Sequence, residues 1–245
     1  YGAKDSRSCK LRFHTQTAGC TLTAQQPENN IARTGFQGLA AVLGGTQSLH
    51  TNSMDETLAL PSEKAAEIAL RTQQIIAFET GVANVADPLG GSWFVESLTD
   101  QIESAAEKYF AEIESLGGVI PAIEKGYFQK EIALSASDYQ DKIDSKKLIH
   151  VGVNEFIREN EKIEIPILEI GEEAEKLQKE SLAKIRLDRD DNEVQKALSA
   201  ITDSCKSGQN MMPLIIDAAK KFATMGEIVI AMKAEFGEWQ ETAVF

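Results

Sequence analysis

Two short blocks of polar residues carry the side chains of this sequence that are best suited to bind a ligand. The first is the run Phe13-His14-Thr15-Gln16-Thr17-Ala18-Gly19, and a block of the same kind follows as Gly45-Thr46-Gln47-Ser48-Leu49-His50-Thr51-Asn52. Each block follows a short apolar run and places a histidine, a glutamine and several hydroxyl groups where a strand should end. Buried polar groups at such a position need hydrogen-bond partners, and a ligand is one possible partner.

The segment between the two blocks has helical character, which predicts a β–α–β–α unit with parallel strands. On an extended strand His14 and Gln16 point the same way, because side chains alternate between the two faces. Both blocks should lie at one edge of a sheet, the edge at which barrel enzymes keep their active sites. The alternative interpretation is that these side chains only tie loops together, and it applies equally to Gln47 and Ser48.

Turn and capping residues predict where the helices and strands begin and end. The predicted order is a strand at Leu11–His14, a helix opened by the capping-box pattern Thr23-x-x-Gln26 with Pro27 and closed by Gly44-Gly45, a strand at Thr46–His50, and a helix opened by Pro61-Ser62. Farther on, the pattern predicts a long helix that ends at Gly117-Gly118, strands at Leu148–Val153 and Ile163–Ile170, and helices over most of the remainder. The chain is thus divided into residues 1–90, which hold both polar blocks, and a mostly helical extension over residues 91–245.

Composition and charge exclude several classes of protein. The 245-residue chain is 42% hydrophobic with a formal net charge of −13, so it offers no basic face to nucleic acid. No apolar run approaches the ~20 residues of a membrane span, and the first residues lack the order of a signal peptide. Three scattered cysteines, Cys9, Cys20 and Cys205, predict neither a disulfide framework nor a zinc site, and they fit a reducing cytoplasm.

Other candidate residues have competing interpretations. Asp55 and Glu56 follow the second block, where an acidic pair accepts hydrogen bonds from sugar hydroxyls or simply begins a helix. His150 lies in an apolar stretch and is interpreted as a packed or edge residue. The sequence has no P-loop, dinucleotide fingerprint, HExxH or GxSxG motif. It also lacks an Asp-x-His-x-x-Gly motif, and no metal ligand is predicted in it.

Taken together, the motifs resemble the coenzyme-B12-dependent acyl-CoA mutases, whose best-known member is methylmalonyl-CoA mutase. The matching stretches are Arg12–Gly19, Leu22–Pro27, Asn29–Thr34, Gly44–Asn52, Asp55-Glu56, Ala86–Ser92 and Val151–Asn154. They extend over essentially the whole chain but correspond only to the later part of the family's large catalytic subunit. The resemblance implies an α/β fold: the last βα units of a TIM (β/α)₈ barrel, followed by a mainly helical extension that packs on the barrel and on partner subunits.

The resemblance also implies an isomerase that rearranges an acyl-CoA carbon skeleton by radical chemistry with adenosylcobalamin. The implied reaction converts (R)-methylmalonyl-CoA to succinyl-CoA, with isobutyryl-CoA or 2-hydroxyisobutyryl-CoA as alternative substrates. A non-catalytic half-barrel interaction module is the alternative of another class. Cys20 and the pair Trp93-Phe94 depart from residues common among methylmalonyl-specific members, which leaves the substrate open.

Carried over position by position, the resemblance assigns binding roles to this segment but no catalytic residue. The cofactor-binding set is Gln16 and Gly19 on the corrin or adenosyl side, Glu56 near the adenosyl ribose, and Ala59 against the corrin. The substrate-binding set is His14, Gln47 and Ser48 for the acyl or pantetheine portion, and Arg7 near the CoA phosphates.

Two parts of the family's machinery are expected outside this chain: the earlier barrel strands, and the cobalamin domain with its cobalt-ligating histidine. The implied partners are the acyl-CoA substrate, the other half of the barrel, and a cobalamin-binding domain or small subunit, within an oligomer. Because the sequence begins at Tyr1 rather than Met, residues upstream are expected, and the stretch to Phe245 resembles a natural end. Because those two parts are expected elsewhere, the isolated chain is expected to be inactive. The open sheet edges of a half-barrel favour a longer polypeptide or an obligate partner.

Overall fold

The computed structural model describes residues 2–163 and 165–241, and helices make up most of it. Two compact units divide the chain, one running to Leu168 and the other beginning at Glu169. The first unit contains strands β1 (His14–Gln16) and β2 (Ser48–His50) and helices α1 (Asn29–Leu43), α2 (Glu63–Glu79), α3 (Trp93–Ser115), α4 (Val119–Glu124) and α5 (Tyr127–Asp144). The second contains α6 (Glu172–Asp188), α7 (Asp191–Ser207), α8 (Met212–Lys220) and α9 (Met225–Phe236). The predicted division into residues 1–90 and 91–245 separates the chain by function rather than by compactness, and it stays a prediction.

The predicted β–α–β–α order with parallel strands is confirmed at the start of the first unit, although β1 begins at His14, where the predicted strand Leu11–His14 ended. β1 pairs with β2 in parallel, with His14 opposite Ser48 and Gln16 opposite His50. α1 connects the two strands and packs against α2 and β2. Within the described residues these strands form the one sheet, so the architecture is mainly helical with two short parallel strands.

Small residues allow α1, α2 and the sheet to pack closely. A Cβ placed on Gly38 of α1 would lie 3.1 Å from Cδ1 of Ile76 on α2 and 3.7 Å from Cδ2 of Leu49 on β2. Ala65, Ala69 and Ile76 of α2 are buried at this contact layer. Leu49 therefore faces the helices, and the opposite face of the strands is left uncovered.

The structure corrects the predicted beginning of α1. The helix begins at Asn29, and no side chain caps it. Oγ1 of Thr23 instead donates to the carbonyl oxygen of Gln25 at 2.8 Å, and Gln26 has a left-handed φ of 47°. The capping-box prediction was wrong because the Thr23 hydroxyl bonds to its neighbour Gln25, and Gln26 bonds to the distant residues Phe156 and Glu161.

Other predicted helix ends are confirmed. Gly44 caps the carboxyl end of α1, and Gly45 follows with a φ of 83°. Oγ of Ser62 accepts a hydrogen bond from the backbone N–H of Ala65 at the beginning of α2. The long helix α3 ends just before Gly117, whose φ is 103°.

The strands predicted at Leu148–Val153 and Ile163–Ile170 are wrong for the residues that the structure describes. The first stretch is a series of turns with a single isolated bridge and a φ of 84° at Gly152. Nδ2 of Asn154 donates to the carbonyl oxygen of Leu148 in this stretch and to that of Ile143 in α5. In the second stretch Glu164 lies outside the described residues and the others are irregular, because no neighbouring strand is present to pair with them.

The second unit has its own hydrophobic core. The buried residues come from α7, the carboxyl end of α8, the α8–α9 connection and α9: Val194, Ala197, Leu198, Ile201, Ala218, Ala223 and Ile228. Oδ1 of Asp190 accepts from backbone N–H groups at the beginning of α7, and Thr224 with Glu227 forms a capping box at the beginning of α9. The helices predicted in this part of the chain are confirmed. None of the helices described in either unit has the length and apolarity that crossing a bilayer requires.

A bidentate ion pair ties the start of α7 to α9. Nη1 and Nη2 of Arg189 donate to the two carboxylate oxygens of Glu227 at 2.7 and 2.6 Å, and Nη1 also donates to the carbonyl oxygen of Phe222 at 3.1 Å. The Arg189 side chain is only 5% exposed and that of Glu227 is 23% exposed. The hydrogen bonds from Arg189, with those from Thr224, lower the pKa of Glu227 to about 2, although burial acts in the opposite direction.

The lowered pKa of Glu227 predicts an acid-sensitive second unit. Its ordinary pKa is 4.5, so its contribution to stability is complete above pH 4.5 and is lost as pH falls from 4.5 towards about 2. Urea unfolding of the chain at a series of pH values should show this loss. Glu227→Gln should flatten the dependence in that window, and an unchanged slope in the variant would contradict the assignment.

Candidate functional site

The exposed face of the two-stranded sheet carries side chains from both polar blocks. His14 and Gln16 on β1 share this face with Ser48 and His50 on β2, because alternate residues of paired strands point to the same side. The expectation that His14 and Gln16 point the same way is confirmed. Nδ1 of His14 lies 2.7 Å from Oγ of Ser48, a hydrogen bond that crosses between the strands.

Asn52, just past the carboxyl end of β2, joins the ends of the two strands. Its Oδ1 accepts from Nε2 of Gln16 at 3.2 Å, and its backbone N–H donates to Oγ1 of Thr17 at 2.9 Å. The residue is 2% exposed, yet its Nδ2 has no acceptor among the described residues. A buried donor without an acceptor costs about 1–3 kcal/mol. An acceptor on a bound ligand would remove that cost, which makes Asn52 a candidate ligand donor.

Gly19 lies against the same amide. It begins the 3₁₀ helix Gly19–Thr21 that follows β1. A Cβ on Gly19 would lie 3.1 Å from Nδ2 of Asn52, closer than carbon and nitrogen normally approach. The glycine therefore leaves open the space next to the unpaired amide.

The two carboxylates in the loop after β2 make different hydrogen bonds. Asp55 is fully buried, and its Oδ2 accepts from the backbone N–H of Ser62 at 2.9 Å at the beginning of α2, while its Oδ1 has no partner among the described residues. Glu56 is half-buried, and its Oε1 accepts from the backbone N–H of Ser53 at 2.8 Å. The second Glu56 oxygen has no hydrogen bond from the described residues and can accept one from a ligand hydroxyl. Ala59 closes the loop, its N–H donating to the carbonyl oxygen of Asp55 at 3.1 Å.

Arg7 and Gln47 lie before the strands rather than at their carboxyl edge. Oε1 of Gln47 accepts from the backbone N–H of Phe13 at 2.7 Å, and its Nε2 donates to the carbonyl oxygen of Gly45 at 2.8 Å. These bonds align the amino ends of β1 and β2. Arg7 lies in an exposed turn, where it lines a shallow depression with Arg12. The substrate roles of Arg7 and Gln47 stay predictions.

The remaining candidates are His150 and the three cysteines, of which Cys20 directly follows Gly19 in the 3₁₀ helix Gly19–Thr21. The ring of His150 packs against Tyr139, whose hydroxyl lies 2.6 Å from Nε2, in keeping with the interpretation of a packed residue. Cys9, Cys20 and Cys205 are free thiols. In the part of the chain that the structure describes, no group of three or more His, Cys, Asp or Glu side chains is arranged to hold a metal ion.

Asn52 is the site residue to which the sequence pattern assigns no role. Its one signal in the sequence is its position at the end of the second polar block. The unpaired Nδ2 depends on which groups surround the amide, so only the folded chain reveals it.

Comparison with known proteins gives consistent matches along the chain. The family model described as "Methylmalonyl-CoA mutase" matches residues 1–238. The "2-hydroxyisobutanoyl-CoA mutase large subunit" of Aquincola tertiaricarbonis is 45% identical over 100% of this chain and 44% of its own length. The mitochondrial methylmalonyl-CoA mutase of Mus musculus is 46% identical over 96% of this chain and 32% of its own length. The methylmalonyl-CoA mutase of Rhizobium meliloti (strain 1021) is 43% identical over 95% of this chain and 33% of its own length. The chain thus spans less than half the length of each of these relatives.

Proposed function

The chain belongs to the methylmalonyl-CoA mutase family, and on that premise we propose that it is part of the catalytic subunit of an adenosylcobalamin-dependent acyl-CoA mutase. The proposed reaction is a radical 1,2-rearrangement that converts (R)-methylmalonyl-CoA to succinyl-CoA. One observation carries the proposal at the site: Asn52 offers a buried donor without an acceptor, just past the carboxyl end of β2.

The residues at the strand edge fit a cofactor that carries ribose hydroxyls. Adenosylcobalamin, when bound, supplies the radical chemistry of the rearrangement. Gln16 holds the Asn52 amide in place, so that Nδ2 is directed to a ligand acceptor. Gly19 leaves space beside that amide, and the second oxygen of Glu56 accepts from a ribose hydroxyl. Ala59, which closes the same loop, offers a small apolar surface to the corrin.

The substrate roles in the proposal fall on the strand residues and the turn before them. His14 and Ser48, held together at 2.7 Å, present polar groups to the acyl or pantetheine portion of the thioester. Gln47 is proposed to contact the same portion, although its amide also aligns the strands. Arg7, exposed beside Arg12, is proposed to bind the CoA phosphates.

The partners in the proposal follow from the partial barrel. β1 and β2 each have one strand neighbour among the described residues, which supports pairing with the earlier strands of a TIM barrel. Residues 1–90 would complete that barrel, and residues 91–245 would pack on it and on partner subunits. The cobalt-ligating histidine is assigned to a domain or small subunit outside this chain, within an oligomer.

A second substrate has a specific observation in its favour. The relative named as a 2-hydroxyisobutanoyl-CoA mutase large subunit aligns with all of this chain, at an identity close to that of the methylmalonyl-CoA mutases. 2-Hydroxyisobutyryl-CoA is therefore the alternative substrate, with isobutyryl-CoA as a further test compound. The non-catalytic interaction module is the alternative of another class.

Turnover by the complete enzyme tests these possibilities side by side. The native-length polypeptide, with any partner subunit, is assayed with adenosylcobalamin and each of the three thioesters. We expect kcat/KM for methylmalonyl-CoA to exceed that for the other two by about tenfold or more, and we expect the isolated 245-residue chain to be inactive. A preference for 2-hydroxyisobutyryl-CoA would select the second substrate. The interaction module would be selected by two results together. The intact assembly would turn over none of the thioesters, and substitutions of Gln16 and Glu56 would alter only assembly.

A further inference from the structure

The two loops at the strand edge are joined by one buried amide on α1. Oδ1 of Asn30 accepts from the backbone N–H of Thr23 at 3.0 Å, and its Nδ2 donates to the carbonyl oxygens of Thr23 and Met54, each at 2.9 Å. Asn30 is fully buried. Thr23 belongs to the β1–α1 loop (residues 17–28) and Met54 to the β2–α2 loop (residues 51–62).

These attachment points are close in sequence to the candidate cofactor residues. Thr23 follows the 3₁₀ helix that Gly19 begins, and Met54 stands two residues from Asn52 and two from Glu56. The Asn30 amide therefore sets how far apart the two loops stand. His14 and Ser48 are held instead by the strand ladder and by their own hydrogen bond, so their positions do not depend on this amide.

A segment far along the chain holds Asn30 in place. Nη1 of Arg33 donates to Oδ1 of Asn30 at 2.7 Å, and its Nη2 donates to the carbonyl oxygen of Val151 at 2.8 Å. In the same region the buried Gln26 donates from Nε2 to the carbonyl oxygen of Phe156 at 2.9 Å. A Cβ on Gly152 would lie 3.1 Å from the carboxamide carbon of Gln26, so this stretch packs directly on the β1–α1 loop.

We propose that Asn30 is a positioning residue for the cofactor loops, and that residues 151–161 hold it there through Arg33 and Gln26. The inference rests on the proposed function, since it assigns these loops to adenosylcobalamin. It predicts that the two binding functions respond differently when the hydrogen bonds of Asn30 are disturbed. The affinity for the cofactor falls, and the recognition of acyl-CoA by the strands is unchanged. Neither Asn30 nor Arg33 needs to touch a ligand for this effect.

The test uses the complete enzyme and measures the Kd for adenosylcobalamin by spectral titration, together with the KM for the acyl-CoA. Asn30→Asp keeps Oδ1 and the size of the side chain. It replaces the NH₂ group that donates to two carbonyl oxygens with a carboxylate oxygen that cannot donate. Arg33, at 2.7 Å, neutralises the new charge, so we expect the variant to fold. The Kd should rise about tenfold or more while the KM stays within about twofold, since one hydrogen-bond energy corresponds to about a tenfold change.

A second variant and a matched control complete the experiment. Arg33→Lys leaves Asn30 intact but lacks the planar fork that reaches Asn30 and Val151 together. It should raise the Kd about threefold or more, again without a change in KM. Asn84→Asp makes the same chemical change at an exposed position of the 3₁₀ helix Val82–Asn84 and should leave both constants unchanged.

The outcomes separate this inference from the function on which it rests. A lower melting temperature with an unchanged Kd in the folded variants would overturn it, because Asn30 would then be only structural. Equal rises in Kd and KM would overturn it as well. If wild-type enzyme of native length binds no adenosylcobalamin, the proposed function fails, and the inference fails with it.

Discussion

Glu56→Gln is expected to weaken the binding of adenosylcobalamin to the complete enzyme by about 10- to 100-fold, the range that a charge-assisted hydrogen bond of about 1.5–3 kcal/mol supplies. The amide oxygen of glutamine can still accept from the backbone N–H of Ser53, so the loop should keep its conformation. The second carboxylate oxygen, which has no partner in the described part of the chain, becomes an NH₂ group that cannot accept from a ribose hydroxyl. Spectral titration gives the Kd directly, without reference to turnover.

The matched control for Glu56→Gln is Glu63→Gln, the same change at the exposed first residue of α2. Its Kd should equal that of the wild-type enzyme. If Glu56→Gln binds the cofactor as tightly as wild type, the second oxygen of Glu56 does not contact the ligand. The carboxylate would then serve only the backbone turn at Ser53.

Arg189→Met is expected to lower the free energy of unfolding of the second unit by about 3 kcal/mol, because removal of one partner leaves a mostly buried charge unpaired. The arginine is only 5% exposed and donates to both oxygens of Glu227 and to the carbonyl oxygen of Phe222. Methionine fills much of the space of the arginine stem, so the loss should come from the hydrogen bonds rather than from a cavity. Urea unfolding, followed by the helical signal of the chain, measures the change.

Lys196→Met provides the control for this prediction. Lys196 pairs with Glu193 on the same helix, but the two side chains are 72% and 42% exposed. An exposed pair contributes about 1 kcal/mol or less, so this variant should unfold close to wild type. If Arg189→Met and Lys196→Met lower the free energy of unfolding equally, the buried Arg189 pair stabilises the second unit no more than an exposed pair does.

Local sequence signals succeeded where the determining contacts are local. Ser62 caps α2 and Gly44 ends α1 because capping depends on residues within a turn of the helix end. The parallel pairing of β1 and β2 followed from the strand–helix–strand order, which requires a crossover connection. The shared face of His14 and Gln16 followed from strand alternation alone.

Local signals failed where distant parts of the chain compete for the same groups. Thr23 and Gln26 form a capping-box pattern, but Gln26 bonds to Phe156 and to Glu161, more than a hundred residues away. The apolar stretch at Leu148–Val153 is typical of a strand, but the described residues supply no neighbouring strand, and Asn154 donates to the carbonyl oxygen of Leu148. No window of a few residues contains this information.

The candidate site divides in the same way. By itself the sequence determined the polar blocks, the parallel pairing of the strands that carry them and the family to which the chain belongs, because each depends on residue order and type. The tertiary structure alone decided which atoms remain available to a ligand. Gln47 is used by the backbone and Oδ2 of Asp55 by α2, whereas Oδ1 of Asp55 and Nδ2 of Asn52 have no partner among the described residues. The physical reason is that hydrogen-bonding capacity is shared among all groups that folding brings together, and these include groups far away in sequence.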